Sequence, residues 1–268
     1  MSDQPIAKTP DRIAGMFDAI AARYDFLNHL LSAGIDRRWR RRAIRSLALT
    51  GRERVLDLCT GTAELAIAAR TARPAAAHVL GVDFAGAMLR VGRDKLLCAG
   101  LTDTIVLVRA DATRIPAADQ SMDAVTMAFG IRNVEDTRAA CNEIRRVLKP
   151  GGRLAILEFA IPTVPLLRRP YLWYFTRVLP RIGRLVSRHA AAYGYLPASV
   201  RAFVSPGELV RILRQSGLIE VGAVSLTGGI VFLYTARRDA AGGESLWPAP
   251  AQAWLVLDES PVATPDTL

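Results

Sequence analysis

From Pro10 onward, apolar residues recur at Ile13, Met16, Phe17, Ile20, Tyr24, Leu27, Leu30 and Leu31, the three-to-four spacing of an amphipathic helix. Thr9 fits its N-cap and Pro10 its first turn. A second, strongly basic helix is predicted over about 36–47, ahead of Gly51. Beyond it the period changes. Short apolar runs at 55–58, 78–82, 105–109, 124–129 and 153–159 alternate with helical patterns near 64–72, 86–99 and 135–148. Strands alternating with helices predict an α/β fold with a doubly wound, mostly parallel sheet. Residues 163–203 break the alternation with Pro, aromatic and Arg residues in helical runs, as an insertion does. A helix over about 206–216 then precedes two β-rich runs, 220–226 and 230–237. Only a short stretch holding Gly228 and Gly229 separates them, which predicts an antiparallel edge hairpin and seven strands in all.

The organisation expected is one domain over 1–238, with a helical cap at 11–50, the insertion at 163–203 as a lid, and a flexible acidic tail at 239–268. With 51% hydrophobic and 22% charged residues, the chain can build a substantial core, and disorder is excluded as its main state. Charge sharpens the picture. All 35 Lys and Arg lie at or before Arg238, whereas five of the 25 Asp and Glu lie beyond it. A field of that sign favours anionic partners. Cys59, Cys98 and Cys141 show neither paired spacing nor a zinc pattern, and the three His are scattered, so no metal is expected and a cytoplasmic setting fits. Residues 1–10 lack the apolar centre of a signal peptide, and no apolar run is long enough to span a bilayer.

Candidate chemistry collects at the strand ends. Val55-Leu56-Asp57-Leu58-Cys59-Thr60-Gly61-Thr62-Ala63-Glu64 is a strand running through a small-residue turn into a helix. A dinucleotide fingerprint needs three glycines to admit a pyrophosphate, but here Gly61 stands alone and carboxylates flank the turn at Asp57 and Glu64. Such a turn suits a cationic ligand. About twenty residues on, Asp83 closes the second strand, where a carboxylate can accept both hydroxyls of a ribose. At the third strand end, Asp111 can take an adenine amine while the Ala112 amide meets a ring nitrogen. Acidic turn, ribose acid and adenine acid together describe S-adenosylmethionine. The plainer alternative is that Asp57, Asp83 and Asp111 serve as caps and turn residues.

The segment Met16-Phe17-Asp18-Ala19-Ile20-Ala21-Ala22-Arg23-Tyr24-Asp25 with Asn28, followed by Ser32-Ala33-Gly34-Ile35-Asp36-Arg37-Arg38-Trp39, resembles the N-terminal signature of the UbiE-type ubiquinone/menaquinone biosynthesis C-methyltransferases. Phe129-Gly130-Ile131-Arg132-Asn133-Val134, Leu148-Lys149-Pro150-Gly151-Gly152-Arg153, Leu157-Glu158-Phe159 and Leu179-Pro180-Arg181-Ile182-Gly183 extend the resemblance over about 11–237. There are departures. The turn reads Gly61-Thr62-Ala63-Glu64 where the family commonly has Gly-Thr-Gly-Asp, Ala128 stands where some members have Ser, and His29 and Asp36 occupy positions that often hold Asp and His.

The resemblance implies a class I, Rossmann-like S-adenosylmethionine methyltransferase acting on a ring carbon of a lipophilic polyprenyl quinol. It also implies that Arg132, Asn133 and Tyr24 line the reacting centre: Arg132 to stabilise a phenolate or hold a water, the other two to orient the hydroxyl. Packing on the apolar stripe is the alternative for Tyr24, and an N-cap to the helix near Glu135 that for Asn133. The seven Arg of 160–206, interleaved with aliphatic and aromatic residues and no acid, suit docking on an anionic membrane at the inner face of the plasma membrane, where a prenyl quinol dissolves. Nucleic acid is not expected as a partner, because that basic stretch carries aliphatics it would not need. Demethylmenaquinol is favoured as substrate. A 2-methoxy-6-polyprenyl-1,4-benzoquinol, another small hydrophobic molecule, a non-catalytic role in a quinone-synthesis complex, and a homodimer all remain open.

Overall fold

The computed structural model describes residues 10–72, 75–162, 165–174, 177 and 190–240. Two helices, α1 (Pro10–Leu31) and α2 (Asp36–Ser46), lead into β1 (Arg54–Leu58), α3 (Glu64–Thr71), β2 (His78–Asp83), α4 (Gly86–Ala99) and β3 (Ile105–Arg109). Then come β4 (Met122–Ala128), a 3-10 turn at Ile131–Asn133, α5 (Thr137–Val147) and β5 (Leu148–Phe159). Helices α6 (Pro165–Trp173), α7 (Ala190–Ala202) and α8 (Pro206–Gln215) precede the closing strands β6 (Leu218–Leu226) and β7 (Val231–Arg238). The seven strands lie in the order β3-β2-β1-β4-β5-β7-β6, with β7 antiparallel to both neighbours. Helices cover both faces, as a parallel sheet requires. One core cluster joins the sheet to α5 and α8 through Ile144, Leu209 and Ile212, and the other joins it to α2, α3 and α4 through Leu47, Leu65 and Leu96. The order reverses between β1 and β4, and ligands of such sheets bind in the crevice at the carboxyl ends there.

The differences from the expected elements have local causes. Helix α5 begins at Thr137, because the side chain of Asp136 accepts from the Ala139 amide at 2.9 Å and caps it. Asn133 is therefore not the cap of that helix. Strand β5 starts five residues early, at Leu148, and β4 ends at Ala128, where Phe129 turns to a φ of 59°. In β6 the register shifts between Ile219 and Gly222, and Glu220 sits at a φ of 51°, the geometry of a bulge that breaks the alternation there. Thr9, most of 175–189 in the expected lid, and the tail beyond 240 lie outside the described residues.

Candidate functional site

The chain leaving β1 and β2 meets α1, and the end of β3 lies beside that of β2. After β1 the chain is left-handed at Cys59 (φ 54°), Gly61 (φ 56°) and Ala63 (φ 65°). Non-glycine residues held there are strained, and such strain collects at ligand sites. The turn is pinned from outside: Thr60 N donates to Val82 O at 3.0 Å, and Gly61 N to Asp83 Oδ2 at 2.8 Å. Asp83 Oδ1 also accepts from the Ala85 amide at 2.9 Å. The Phe84 amide also acts on this carboxylate, and of the about four acceptor positions a carboxylate offers, not all are used by these amides. Burial pushes the Asp83 carboxyl up to about 6, against the pull of those amides.

Asp57 sits under the turn, 1% exposed, accepting from Thr60 Oγ1 at 2.6 Å and Thr126 Oγ1 at 2.8 Å. Burial pushes it, too, up to about 6. Its geometry shapes the turn. Asp111 Oδ1 accepts both the amide (2.7 Å) and the hydroxyl (2.8 Å) of Thr113, the turn-forming pattern, with Ala112 buried beside it. Gly61, Thr62 and Asp83 are thus brought together, and Asp111 and Ala112 stand at the neighbouring strand end. Carboxylate acceptors around one glycine, Asp57 and Asp83 of them buried, fit a cationic, ribose-bearing cofactor and not a diphosphate.

Helix α1 is tied across this edge. Asp18 accepts from the Ala87 amide at 2.6 Å at the start of α4, and Asp25 accepts from Thr62 Oγ1 at 2.6 Å. Asp25 shares Lys95 with Glu64. The second acid of the turn is therefore neutralised by a lysine, which changes the expectation that both acids face a cation. Nothing local in the sequence pairs these residues, because they come from three separate helices.

Next to Asp25, Tyr24 opens onto a second space. A cavity of about 940 Å³, counting its open mouth, is walled by Tyr24, Trp39, Phe129, Phe159, Tyr171 and Tyr174, with polar groups at its α1–α2 corner. The rings are ordered: Phe129 stacks on Phe159 at 4.4 Å, and Trp39 meets both edge-on at 6.1 and 6.2 Å. The cavity adjoins the turn because Gly130, following Phe129, lies so close to Cys59 that an added Cβ would stand 2.4 Å from the Cys59 Cβ. Burial pushes the Tyr24 phenol up, while Arg132, an Asn28 hydrogen bond and Arg40 pull it down. Tyr24 both lines the cavity and packs beside Ala85 and Met88.

Arg132 is enclosed behind the cavity wall. It is 4% exposed and is not among the cavity's lining residues. Its Nη1 donates to Glu158 Oε1 at 2.7 Å and to the Phe129 carbonyl, its Nε reaches Ser199 Oγ at 3.4 Å, and its backbone amide donates to Glu158 Oε2 at 3.2 Å. The guanidinium lies 5.6 Å from the Phe159 ring. Arg132 thus holds the strained Phe129 from behind the aromatic wall, a structural role the sequence did not suggest. Asn133 is 7% exposed, with Oδ1 accepting from Tyr195 at 3.1 Å and Nδ2 reaching the Phe129 carbonyl at 3.4 Å. Glu158 was legible as an acid inside the apolar run 154–159, since a buried carboxylate requires a partner. Of the three scattered histidines, His29 approaches Asp36, Nδ1 to Oδ2, at 2.8 Å.

Residues 6–238 match the model of the ubiE/COQ5 methyltransferase family. The Ubiquinone/menaquinone biosynthesis C-methyltransferase UbiE of Syntrophotalea carbinolica is 51% identical over 85% of this chain and 94% of its own length. A Demethylmenaquinone methyltransferase of Clavibacter sepedonicus is 44% identical over 92% of this chain and 97% of its own. In fold, the chain is similar to an S-adenosylmethionine-dependent methyltransferase from Aquifex aeolicus, with a TM-score of 0.53, 19% identity, and coverage of 74% of this chain and 88% of that one. Sheet order, acid-lined turn and sequence agree: the chain belongs to the ubiE/COQ5 methyltransferase family and is an S-adenosylmethionine-dependent C-methyltransferase.

Proposed function

We propose that this chain methylates a ring carbon of a polyprenyl quinol in quinone biosynthesis, with demethylmenaquinol as its substrate. The observation that carries the reading is the aromatic cavity adjoining the acid-lined turn through Phe129 and Gly130. Stacked rings suit a flat bicyclic substrate. The Gly61-Thr62-Ala63-Glu64 turn resembles the menaquinone-pathway members, and two relatives carry the demethylmenaquinone name.

When bound, S-adenosylmethionine supplies an electrophilic methyl on a positively charged sulfur. The residues assigned to hold it are Asp57, Gly61, Thr62, Asp83, Asp111 and Ala112. Asp83 presents its carboxylate to the ribose, and Asp111 with the Ala112 amide reads the adenine. Asp57 shapes the turn and adds negative potential beneath it. Tyr24 orients the quinol hydroxyl, while Arg132 and Asn133 keep the Phe129 loop in place. The aromatic walls exclude water, which strengthens every charge interaction inside. Holding the two reactants in line can supply about 7–11 kcal/mol of the barrier. Loss of the gene should cause the quinone one ring methyl short to accumulate, as read by mass spectrometry; unchanged quinones would refute the reading, and an accumulated benzoquinone precursor would move the substrate assignment.

Delivery of the quinol is assigned to an anionic membrane surface. Among the described residues no helix is long and apolar enough to cross a membrane. Arg168, Arg169 and Arg177 are exposed on and beside α6, together with Trp173 at 63%. Each such charge near an anionic surface is worth about 1 kcal/mol. The protein should float with phosphatidylglycerol vesicles and stay behind with phosphatidylcholine ones, and indifference to lipid charge would count against the assignment.

A further inference from the structure

The chemistry assigned to this cavity needs a cation beside the ring oxygen; Arg132, whose charge pulls the Tyr24 phenol down, stands behind the wall and not on it. Arg40 does. It is 7% exposed, lies on the cavity wall one residue from Trp39, and acts on the Tyr24 hydroxyl by its charge. Trp39 is fixed from two sides, donating from Nε1 to Thr227 Oγ1 at 2.9 Å and meeting Phe129 and Phe159 edge-on. The inner face of α2 is therefore held rigidly against the cavity. Of a basic run from Arg37 to Arg42, Arg40 alone is buried; the other four arginines point outward. Asp36, one turn earlier and also on the wall, accepts from Arg40 and from Ser32 Oγ at 2.8 Å, and its Oδ2 lies 2.8 Å from His29 Nδ1. Burial works to raise the Asp36 carboxyl, yet Ser32, Arg40 and His29 together hold it below the usual carboxylate range. Its negative charge is thus spread over three partners, and a guanidinium has five N–H donors, more than one carboxylate can use.

We propose that Arg40, oriented by Asp36 with His29 and Ser32, forms a hydroxyl subsite of the cavity that binds the ring oxygen of a phenol-type substrate in its ionised form. The O–H bond breaks with its electron pair left on oxygen, the proton goes to water, and Arg40 faces the resulting negative charge. Arg40 touches the substrate and is a catalytic residue, while Asp36 and His29 are positioning residues. The charged or titratable groups facing Arg40 are Asp36, His29 and Tyr24, with Arg132 and Asp25 acting on Tyr24 in turn. The proposal rests on the quinol reading for its biological substrate, but its test does not.

A nitronaphthol whose ionised form absorbs visible light reports the subsite directly. Titrated against pH on the whole protein with S-adenosylhomocysteine present, the bound probe should ionise about one pH unit below the free one, a tenfold shift in its equilibrium. Arg40→Leu should abolish the shift, Arg40→Lys should keep part of it, and Arg41→Leu, on the exposed side of the same helix, should leave it intact. Absence of binding, absence of a shift, a shift that survives Arg40→Leu with the fold intact by circular dichroism, or one that Arg41→Leu also removes would each overturn the proposal. A shift without methyl transfer to demethylmenaquinol would retain the subsite and defeat the quinol reading; transfer without a shift would do the reverse.

Discussion

Asp83→Asn should weaken binding of S-adenosylhomocysteine by about 10²-fold or more, measured by calorimetry. Hydrogen bonds to a charged group contribute about 1.5–3 kcal/mol each, and the proposed ribose contact runs through this carboxylate. The amide also turns a donor toward the Gly61 and Ala85 amides that Asp83 now accepts from, so the turn itself loosens. The same carboxyl sets a pH signature. Because Asp83 and Asp57 are pushed up to about 6 by burial, the binding-competent carboxylates are fully present near pH 8 and lost on descending through 6. Affinity should therefore fall below pH 6, by up to about tenfold per pH unit for one group. Stability of the ligand-free protein runs the other way. The folded state holds protons that the unfolded chain has released, so stability declines as pH rises from about 4 to about 6 and then levels. Calorimetry at several pH values tests both, and an affinity independent of pH would remove the carboxylates from the site.

The second large effect concerns Glu158. Glu158→Ala should cost about 3–5 kcal/mol of unfolding free energy, the range for stripping one partner from a buried pair. The side chains of Glu158 and Arg132 are 0% and 5% exposed, so water cannot replace the lost contact. Replacing both, as in Glu158→Leu with Arg132→Met, should restore much of the stability, because matched apolar groups avoid the desolvation cost. Methyl transfer should not return with it, since the Phe129 carbonyl would still lack its Arg132 donor. Denaturant titration alongside turnover separates the two; full recovery of turnover in the double variant would refute the holding role of Arg132.

The parallel sheet was legible because its strands are short, apolar and spaced by helical periods, and the edge hairpin because little more than Gly228-Gly229 separates two β-rich runs. Asp57, Asp83 and Asp111 were legible because a doubly wound sheet carries each strand end to one edge. The charge partners were not. Lys95 meets Asp25 and Glu64 from a helix far along the chain, and only tertiary packing decides that meeting. Arg40 was hidden in a run of like residues, although Asp36 four positions before it is the spacing of a helical ion pair. Arg132 was assigned to the reacting centre by resemblance, and its ion-pair partner Glu158 stands 26 residues further along, a meeting that only tertiary packing decides.

The most direct test of methyl transfer to ring carbon is to incubate the protein with methyl-labelled S-adenosylmethionine and reduced demethylmenaquinone and locate the label by mass spectrometry. The label should appear on a ring carbon of the naphthoquinol and be released with S-adenosylhomocysteine in equal amount. Label on oxygen, or none while the cofactor binds normally, would contradict the account.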